Sequence, residues 1–498
     1  MRSLVFTTRS ANSRLINFPK QLNLLGLLLI IEAAFMCVPM LVCAFMKEAD
    51  WLPFLISVAA TAGSGLALRM AVRPQSENLG RKDGCMITCM VWLVYSLFGM
   101  LPFIAGSSHL NISEGFFEAM SGFTTTGATV IRDIESCSHG IQLWRALTQW
   151  IGGLGIVLFT LTVIPSLNNS RGIFMFHAEV SGITHDKIGA RIANTAKILW
   201  GLYGVLTLIL IGLLWIGPMN LFESICHAFA CISTGGFSTQ NDSIASYDSF
   251  YVKLVLSVFM FIGGVNFGLI FSAVKGKIEV LWKNDVFRAF LWLIAINYVV
   301  TLISIFHAGN WKGWQSLTID PLFHIVSAMT STGFGAGNFE LWGELALVLT
   351  ILMMYFGACA GSTTGGAKID RLLYMVKNFK AEIRRAVSPR SMRAIRINNQ
   401  AITPENTSEI IAFLLIYTGI ILFGGILLAA MDFPIVDAFF SSISCASNNG
   451  LGAGVTGVTG SFDFVPSAGK WVMSFLMLAG RLEIFALIML ITPSFWKK

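Results

Sequence analysis

Four polar, glycine-centred segments recur along this 498-residue chain, each between long apolar stretches. They read GFTTTGAT around Gly127, CISTGGFST around Gly235, MTSTGFGAG around Gly333 and ASNNGLGAG around Gly450. Polar, non-helical backbone at membrane depth is tolerated only where protein buries it or where it lines a water-filled path. Four such loops can close a ring around one axis, and rings of backbone carbonyl groups can replace the hydration shell of a cation. The pattern therefore predicts a cation pore.

Composition places the chain in a membrane. Hydrophobic residues make up 55% and charged residues 12% of the sequence, whereas soluble domains carry about 25% charged residues. The net charge of +7 does not indicate nucleic-acid binding, because the basic residues lie in alternate stretches. An excess of Lys and Arg in alternate short loops marks the cytoplasmic face, so we expect both termini in the cytoplasm. These stretches are 2–20, 69–82, 171–197, 275–288, 368–396 and 497–498.

Ten segments are long and apolar enough to span a bilayer, which takes about 20 residues. They are 22–46, 52–72, 86–106, 141–166, 193–217, 250–274, 286–308, 342–375, 407–431 and 468–493. The first is too long for a signal-peptide core and is expected to be retained as a helix. Four shorter apolar segments fit re-entrant pore helices, which do not cross the membrane. These are 114–123, 223–232, 320–330 and 437–446.

The order of these segments predicts an all-α polytopic membrane protein with fourfold pseudo-symmetry. Each unit contains a helix, a pore helix, a filter loop and a second helix around one pore. We expect an N-terminal two-helix extension followed by four pore repeats, with a glycine-broken second helix in the third. The predicted bounds are 1–82 for the extension and 83–170, 171–280, 281–400 and 401–498 for the repeats.

An acidic residue opens each pore helix, 12 or 13 residues before the glycine of its loop. Negative side chains stabilise the positive end of a helix dipole, which gives these acids a capping role. They can also attract cations to the outer mouth of a pore, and the two roles are compatible. The four acids are Glu114, Glu223, Asp320 and Asp437.

The loops offer neutral oxygen ligands. Backbone carbonyl, hydroxyl and amide oxygens suit weakly hydrated monovalent cations, whereas calcium pores use rings of Asp or Glu and anion pores use basic rings. Each loop has only one glycine common to all four, which predicts weaker discrimination of potassium from sodium than a longer carbonyl stack gives. The predicted filter residues are Thr125, Thr126, Gly127, Ser233, Thr234, Gly235, Ser331, Thr332, Gly333, Asn448, Asn449 and Gly450.

Two features of the second helices predict a gate. The segment GACAGSTTGGAK at 357–368, called here the glycine-rich loop, contains Gly357, Gly361, Gly365 and Gly366. Each glycine costs about 1 kcal/mol inside a helix, so we expect this segment to unwind beneath the filter as a mobile loop. Close packing against a neighbouring helix is the alternative.

Arg481 is the second feature, because it lies in the middle of an apolar segment. An arginine at mid-bilayer costs about 3 kcal/mol or more and must face the bundle interior or water. It can act as a positive barrier under the filter, or it can form a buried pair with Glu483 or another acid. The repeat places Cys359 at the position equivalent to Arg481, which predicts that the glycine-rich loop and this arginine lie together.

The four glycine loops, the two extra helices, the glycine-broken helix and the GRLE stretch at 480–483 resemble the Trk/Ktr/HKT superfamily of cation transporters, and within it the bacterial TrkH/TrkG branch. The resemblance covers essentially the whole chain. It implies potassium uptake through four filter glycines, a gating loop at 357–368 and a barrier at Arg481. It also implies a homodimer with one pore per subunit in the bacterial inner membrane, and a cytosolic TrkA-like nucleotide-binding partner. The fourth loop departs from the pattern, since it reads Asn-Asn-Gly.

The residues independently favour a regulatory partner. No GxxxxGK[ST] or GxGxxG segment occurs, and no cytoplasmic loop is long enough for a nucleotide-binding domain. We therefore expect no cofactor in this chain, potassium as the transported ion, and nucleotide only on the partner. The partner could dock on the basic loop 371–396, although those residues can equally set topology or contact lipid headgroups.

Two rival functions remain. A carrier coupled to protons or sodium also uses broken helices, and Glu32 is the clearest membrane-embedded acid for it. A membrane enzyme is disfavoured, because HExxH and GxSxG are absent and the histidines form no metal-like cluster. His227 and His324 lie on pore helices, where packing or hydrogen bonding accounts for them.

Overall fold

The computed structural model describes residues 17–72, 81–153, 155, 192–309, 311, 313–388, 395–398, 400–401, 404–457 and 461–496. Within them six helices are long and apolar enough to cross a membrane, or seven if one bent pair counts as a single span. The six spans are Phe18–Met46, Trp51–Ala71, Lys82–Ala105, Lys197–Ile216, Asp285–Ala308 and Thr407–Ala429. The chain is an all-α polytopic membrane protein, as the sequence predicted.

Four shorter helices lie at the predicted re-entrant positions, and we call them the first to fourth short helices. Their bounds are Ile112–Phe123, Leu221–Ile232, Ile319–Met329 and Ile435–Ala446. The acidic residue expected at each start lies in the first turn of its helix. The side chains of Asn111 and Asn220 cap the first two helices by accepting from the backbone amides of Glu114 and Glu223, whose carboxylates accept from the backbone amides of the asparagines in return. These bonds satisfy amide groups that a helix leaves unpaired.

The helices that follow the second, third and fourth loops are interrupted, and residues 154 and 156–166 of the span predicted after the first loop lie outside the described residues. The described part of the predicted span 141–166 is a helix over His139–Gly153. The predicted span 342–375 forms helices Glu344–Phe356 and Ile369–Val387 with the glycine-rich loop between them. The last span, predicted at 468–493, breaks at residues 482–484 between Ser467–Arg481 and Phe485–Ile491.

The predicted span at 250–274 is a bent pair of helices rather than a single helix. Helices Phe250–Gly264 and Phe267–Val274 meet at an angle of 108°. Asn266 causes the second helix to begin here, because its side-chain oxygen accepts hydrogen bonds from the amides of Gly268 and Leu269 at 2.8 and 3.2 Å. The paired glycines before the bend let the chain pack closely, and the asparagine redirects it.

The remaining regular structure joins these elements. Two of the spans above lie within the longer helices Ile192–Ile216 and Pro404–Ala429, and the span Lys82–Ala105 is formed by helix Arg81–Gly99 together with the short segment after it. Three further helices of about one turn each are Leu101–Ala105, Glu279–Lys283 and Pro493–Trp496. Turns of 3-10 helix lie at Ser243–Ser246, Gln315–Leu317, Phe339–Trp342 and Gly454–Thr456. Strands Arg396–Ile397 and Gln400–Ala401 form an antiparallel pair.

Two hydrophobic clusters pack around the loops. One joins the N-terminal helices to the first and fourth short helices, with Phe117 and Trp144 fully buried in it. The other joins the second and third short helices, with Tyr203 and Phe323 fully buried. Burial of these apolar groups holds the short helices at the centre of the molecule, so their C-terminal ends meet there.

Candidate functional site

The four loops share one backbone conformation. A cap residue ends each short helix, and the residue after it has a positive φ, which is uncommon outside glycine. These left-handed residues are Thr125, Thr234, Ser331 and Asn448, with φ between 50° and 55°. Two residues later a glycine has φ of 86°, 79°, 80° or 79°, at Gly127, Gly236, Gly333 and Gly450.

The hydrogen bonds of the loops repeat in the same register. In each loop the amide following the left-handed residue donates to the carbonyl oxygen five residues earlier, at 2.8 or 2.9 Å. The donors are Thr126, Gly235, Thr332 and Asn449, and the acceptors are Ser121, Ala230, Ser327 and Ser444. The shared bonds fix the four loops in one geometry although their side chains differ.

The loops close into a ring, called here the four-loop ring and comprising 124–127, 233–236, 330–333 and 447–450. A Cβ atom placed on the glycine of each loop would collide with a carbonyl oxygen of the next loop. The distances are 2.1 Å from Gly127 to Gly235, 1.9 Å from Gly236 to Thr332, 1.8 Å from Gly333 to Asn449 and 2.2 Å from Gly450 to Thr126. Backbone therefore packs on backbone around the whole circuit, at a spacing that only glycine permits.

This geometry corrects the predicted register of the second loop by one residue. Gly236, rather than Gly235, matches the other three glycines in φ and in its ring contact. Ser233 is the helix cap, equivalent to Thr124, and Gly235 takes the place of Thr126. Each acid then lies 13 residues before its glycine in all four repeats.

Side chains give the ring less than fourfold symmetry. In the first and third loops two threonine hydroxyls pair at 2.8 and 2.7 Å. In the fourth loop the amide of Asn448 donates to Thr126 Oγ1 at 3.1 Å, and Asn449 donates to the carbonyl oxygen of Ala328 at 2.7 Å. The asparagines thus tie the fourth loop to both of its neighbours.

The glycine-rich loop lies against three of the four loops. The amide of Gly365 donates to Ser331 Oγ at 3.0 Å, and a Cβ on this glycine would be 2.0 Å from the carbonyl oxygen of Ser447. The hydroxyl of Thr363 lies 3.1 Å from that of Thr234. Gly357, Gly361 and Gly366 have φ of 67°, 76° and 79°, so the predicted loss of helix is confirmed.

The helix bend anchors the far side of the glycine-rich loop. The side chain of Asn266 donates to the carbonyl oxygen of Ala360 at 2.7 Å. The amide of Cys359 donates to Gly264 at 3.1 Å, and the carbonyl of Gly361 accepts from Phe267 at 3.0 Å. The unexpected bend at 265–266 therefore satisfies backbone groups that the unwound loop would leave unpaired.

Arg481 reaches the ring from the last helix. Its guanidinium donates to the carbonyl oxygen of Thr363 at 2.8 Å and to Thr125 Oγ1 at 3.3 Å. It also donates to the carbonyl oxygens of Gly152 and Gly153, at 2.5 and 3.0 Å. The predicted proximity of the arginine and the glycine-rich loop is confirmed. The carboxylate of Glu483, the acid considered as a partner of Arg481, pairs with Arg371.

Ion pairs at the starts of two short helices were not predicted from the sequence. Lys470 pairs with Glu114 at 2.8 Å and Lys253 with Asp320 at 2.7 Å, and both lysine side chains are buried. Each lysine lies near the start of an apolar helix, where an isolated charge is costly without a partner. A lone lysine in an apolar helix indicates that a partner exists. The partner could not be identified, because it lies far away along the chain.

Buried polar side chains around the loops also form ion pairs and hydrogen bonds. Arg145 pairs with Glu118 at 2.8 Å in the core, and Gln149 donates to the carbonyl oxygen of Gly235 at 2.6 Å. His227 lies 2.9 Å from Ser238 Oγ, and His324 lies 2.9 Å from Thr350 Oγ1. The histidines are hydrogen-bonded packing residues, as predicted. Among the described residues no group of three or more His, Cys, Asp or Glu could hold a metal ion.

The sequence profile of the TrkH family, described as cation transport proteins, matches residues 52–498. The chain belongs to the TrkH family of cation transport proteins. Membership confirms the predicted superfamily and makes the chain a transporter rather than an enzyme.

Individual TrkH-family proteins match along nearly their whole length. The Trk system potassium uptake protein TrkH of Escherichia coli K12 is 33% identical over 481 residues, covering 96% of this chain and 99% of that protein. The potassium uptake protein TrkG of the same organism is 30% identical over 478 residues, covering 95% and 98%. The crystal structure of the potassium transporter TrkH from Vibrio parahaemolyticus superposes with a TM-score of 0.87 at 30% identity, covering 97% of this chain and 100% of that one.

Proposed function

We propose that the protein takes up potassium through the four-loop ring. The observation that carries this is the closed circuit of contacts from Gly127 to Gly235, Gly236 to Thr332, Gly333 to Asn449 and Gly450 to Thr126. It brings four equivalent stretches of peptide backbone to one axis, and carbonyl groups so arranged can replace the water around an alkali cation. The relatives named as potassium uptake proteins support potassium as that cation.

The proposed ion ligands are oxygens of the residues predicted to form the filter, with the second loop in its corrected register. They are Thr125, Thr126, Gly127, Thr234, Gly235, Gly236, Ser331, Thr332, Gly333, Asn448, Asn449 and Gly450. Ser233 is then a helix cap that supports the filter. The short helices end at these residues, so the negative ends of their dipoles favour a cation at the centre.

The glycine-rich loop and Arg481 form the proposed gate and barrier. The loop contacts the second, third and fourth loops, and Arg481 joins it to Thr125 of the first. A guanidinium at this position repels a cation that leaves the ring, because the low dielectric of the interior strengthens the interaction. Ion entry to the cytoplasm then requires that loop and arginine move.

Regulation is proposed to come from a cytosolic TrkA-like nucleotide-binding partner. Helix Ile369–Val387 continues directly from the glycine-rich loop and carries exposed basic residues at its end, including Arg384 and Arg385. A partner bound there could pull on the loop through a rigid helix. We further propose a homodimer in the bacterial inner membrane with one pore per subunit and both termini in the cytoplasm.

A proton- or sodium-coupled carrier is the alternative function. Glu32 is fully buried, and neither of its carboxyl oxygens has a hydrogen-bond partner within the described residues. It lies beside Gly99, where a Cβ would be 3.2 Å from Glu32 Oε1 and 2.5 Å from the ring of Phe123. Glu32 thus lies beside the last residue of the first short helix, and we favour the pore because the four loops form a closed circuit of backbone contacts.

The test is rubidium uptake by proteoliposomes that hold the purified full chain, with and without the cytosolic partner. We expect uptake that potassium inhibits more strongly than sodium, and loss of that preference in Gly333→Ser. Gly201→Ala is the matched control, because no atom lies within 4 Å of a Cβ at Gly201. Absence of cation uptake in the presence of the partner would contradict the proposal.

A further inference from the structure

The last helix breaks two residues after Arg481. Glu483 and Ile484 have φ of 49° and 65°, both in the left-handed region. A β-branched residue with this φ is a true outlier, and such conformations persist only where the surrounding structure over-determines them. Some interaction must therefore hold this segment, and the contacts of Glu483 identify it.

Arg371 supplies that interaction. Its guanidinium donates to the carboxylate of Glu483, and the two side chains are only 6% and 11% exposed. The same guanidinium donates to the carbonyl oxygen of Ala367 at 3.1 Å and stacks on the ring of Phe413 at 3.9 Å. Because Ala367 lies within the glycine-rich loop, the ion pair joins the end of this loop to the segment that carries Arg481.

The carboxylate of Glu483 also faces more than one cation. Lys368 interacts electrostatically with Glu483, Arg481 and Arg371, so Glu483 lies among three positive side chains. Lys368 itself has a φ of 73°. Removing one partner of a buried ion pair leaves an uncompensated charge at a cost of several kcal/mol. Asp370 also interacts with Lys368 and Arg371, so loss of the Glu483 carboxylate would leave three cations with one acidic residue among them at the end of the glycine-rich loop.

We propose that Arg371 and Glu483 are positioning residues whose ion pair fixes Arg481 against the glycine-rich loop, so that barrier and loop move together. The inference rests on the proposed function, because it assigns a role to the partners of the proposed gate. While the pair is intact, Arg481 stays on the carbonyl of Thr363. When the pair breaks, the left-handed segment at 483–484 relaxes and the arginine loses its fixed position beside the loop.

Cys359 provides a readout that does not depend on transport. It lies in the glycine-rich loop and is 2% exposed, so a water-soluble thiol reagent reaches it only when the loop opens. Labelling is measured with the full chain in proteoliposomes. The labelling rate of Cys359 is the rate of a protein that retains this cysteine minus the rate of its Cys359→Ser counterpart. This subtraction removes the contribution of the other eight cysteines.

The experiment compares wild type, Glu483→Gln, Glu483→Asp and the exchange Arg371→Glu/Glu483→Arg. We expect Glu483→Gln to raise the labelling rate of Cys359 about tenfold or more, because a broken buried pair is strongly destabilising. In proteins that carry Cys359→Ser, Glu483→Gln should leave the labelling rate of the remaining cysteines unchanged. A general loosening of the fold would raise that rate. Glu483→Asp should give an intermediate rate, and the exchange should return the rate toward wild type.

Labelling of Glu483→Gln and Glu483→Asp at the wild-type rate would overturn the inference. Equal acceleration in the glutamine variant and the exchange variant would also overturn it, since restored pairing would then have no effect. If Glu483→Gln does not reconstitute, Glu483→Asp and the exchange still decide. Rubidium uptake is measured on the same vesicles, so a wild type without uptake contradicts the proposed function while the labelling rates still test the ion pair.

Discussion

A Cβ atom on Gly236 would lie 1.9 Å from the carbonyl oxygen of Thr332. This contact joins the second loop to the third, and its counterparts join the other loops into a closed circuit. Gly235 has a different environment, since its Cβ would meet the side chain of Gln149 at 2.4 Å. A side-chain end can move, whereas the backbone of the ring cannot move without displacing its neighbours.

Alanine should therefore be worse at Gly236 than at Gly235. At Gly236 it meets ring backbone and a φ of 79°, which costs a non-glycine residue about 1–2 kcal/mol before any clash. We expect Gly236→Ala to lower rubidium uptake at least about tenfold, by the usual conversion of 1.4 kcal/mol into a rate, and Gly235→Ala to lower it less. The reverse order would contradict the corrected register, and Gly204→Ala serves as a control with open space around its Cβ.

Removal of the positive charge at Arg481 should speed ion passage. We expect Arg481→Ala to raise rubidium uptake about tenfold, because a cation in a low-dielectric path no longer meets a fixed like charge. Arg481→Lys keeps the charge and should stay near the wild-type rate. The thermal midpoint of both variants should be measured, since each loses hydrogen bonds to Gly152 and Gly153. Equal rubidium uptake by Arg481→Ala and Arg481→Lys would contradict a role of the Arg481 charge as a barrier.

Acid should loosen the contact between Glu48, in the turn after the first helix, and the start of helix His139–Gly153. Burial raises the pKa of Glu48, but hydrogen bonds from the backbone and ring of His139 outweigh it and hold the pKa below its ordinary value. A depressed pKa contributes stability above the unfolded value of about 4.3, and that stability is lost as pH falls through the folded value. The midpoint of thermal unfolding should therefore fall more steeply below pH 5 in wild type than in Glu48→Gln. Parallel curves would contradict this.

Glu32 tests the carrier alternative. Because it is not one of the residues of the four-loop ring, we expect Glu32→Gln to keep both the rate of rubidium uptake and its response to an imposed proton gradient. The comparison is made on vesicles with matched protein content, confirmed by the size-exclusion profile before reconstitution. A correctly folded Glu32→Gln protein without uptake would favour proton coupling through this carboxyl group.

Much of the architecture could be predicted because it depends on local composition. The four short helices were found from their length, and the unwound segment at 357–368 from its glycines. The proximity of Arg481 to the glycine-rich loop followed from the equivalence of Arg481 and Cys359 between repeats. Helix length and the free-energy cost of glycine in a helix depend on neighbouring residues, and the repeat register is read directly from the sequence.

Other features depend on contacts between distant residues. The Gly-Gly pair at 235–236 allowed two registers, and only the backbone φ and the contact with Thr332 distinguish them. The constant spacing from the four acids was a usable signal for Gly236. The bend at Asn266 depends on the loop that Asn266 contacts, and the pairing of Glu483 with Arg371 joins residues that sequence spacing does not relate.

The location of a bound ion shows whether the four-loop ring is the cation site. Crystals of the full chain grown in rubidium salt would be measured at the rubidium absorption edge, together with matched crystals grown in sodium salt. We expect an anomalous peak inside the four-loop ring, between Thr126, Gly235, Thr332 and Asn449, that the sodium crystals do not show. A rubidium peak elsewhere along the molecule, with none in the ring, would contradict this expectation.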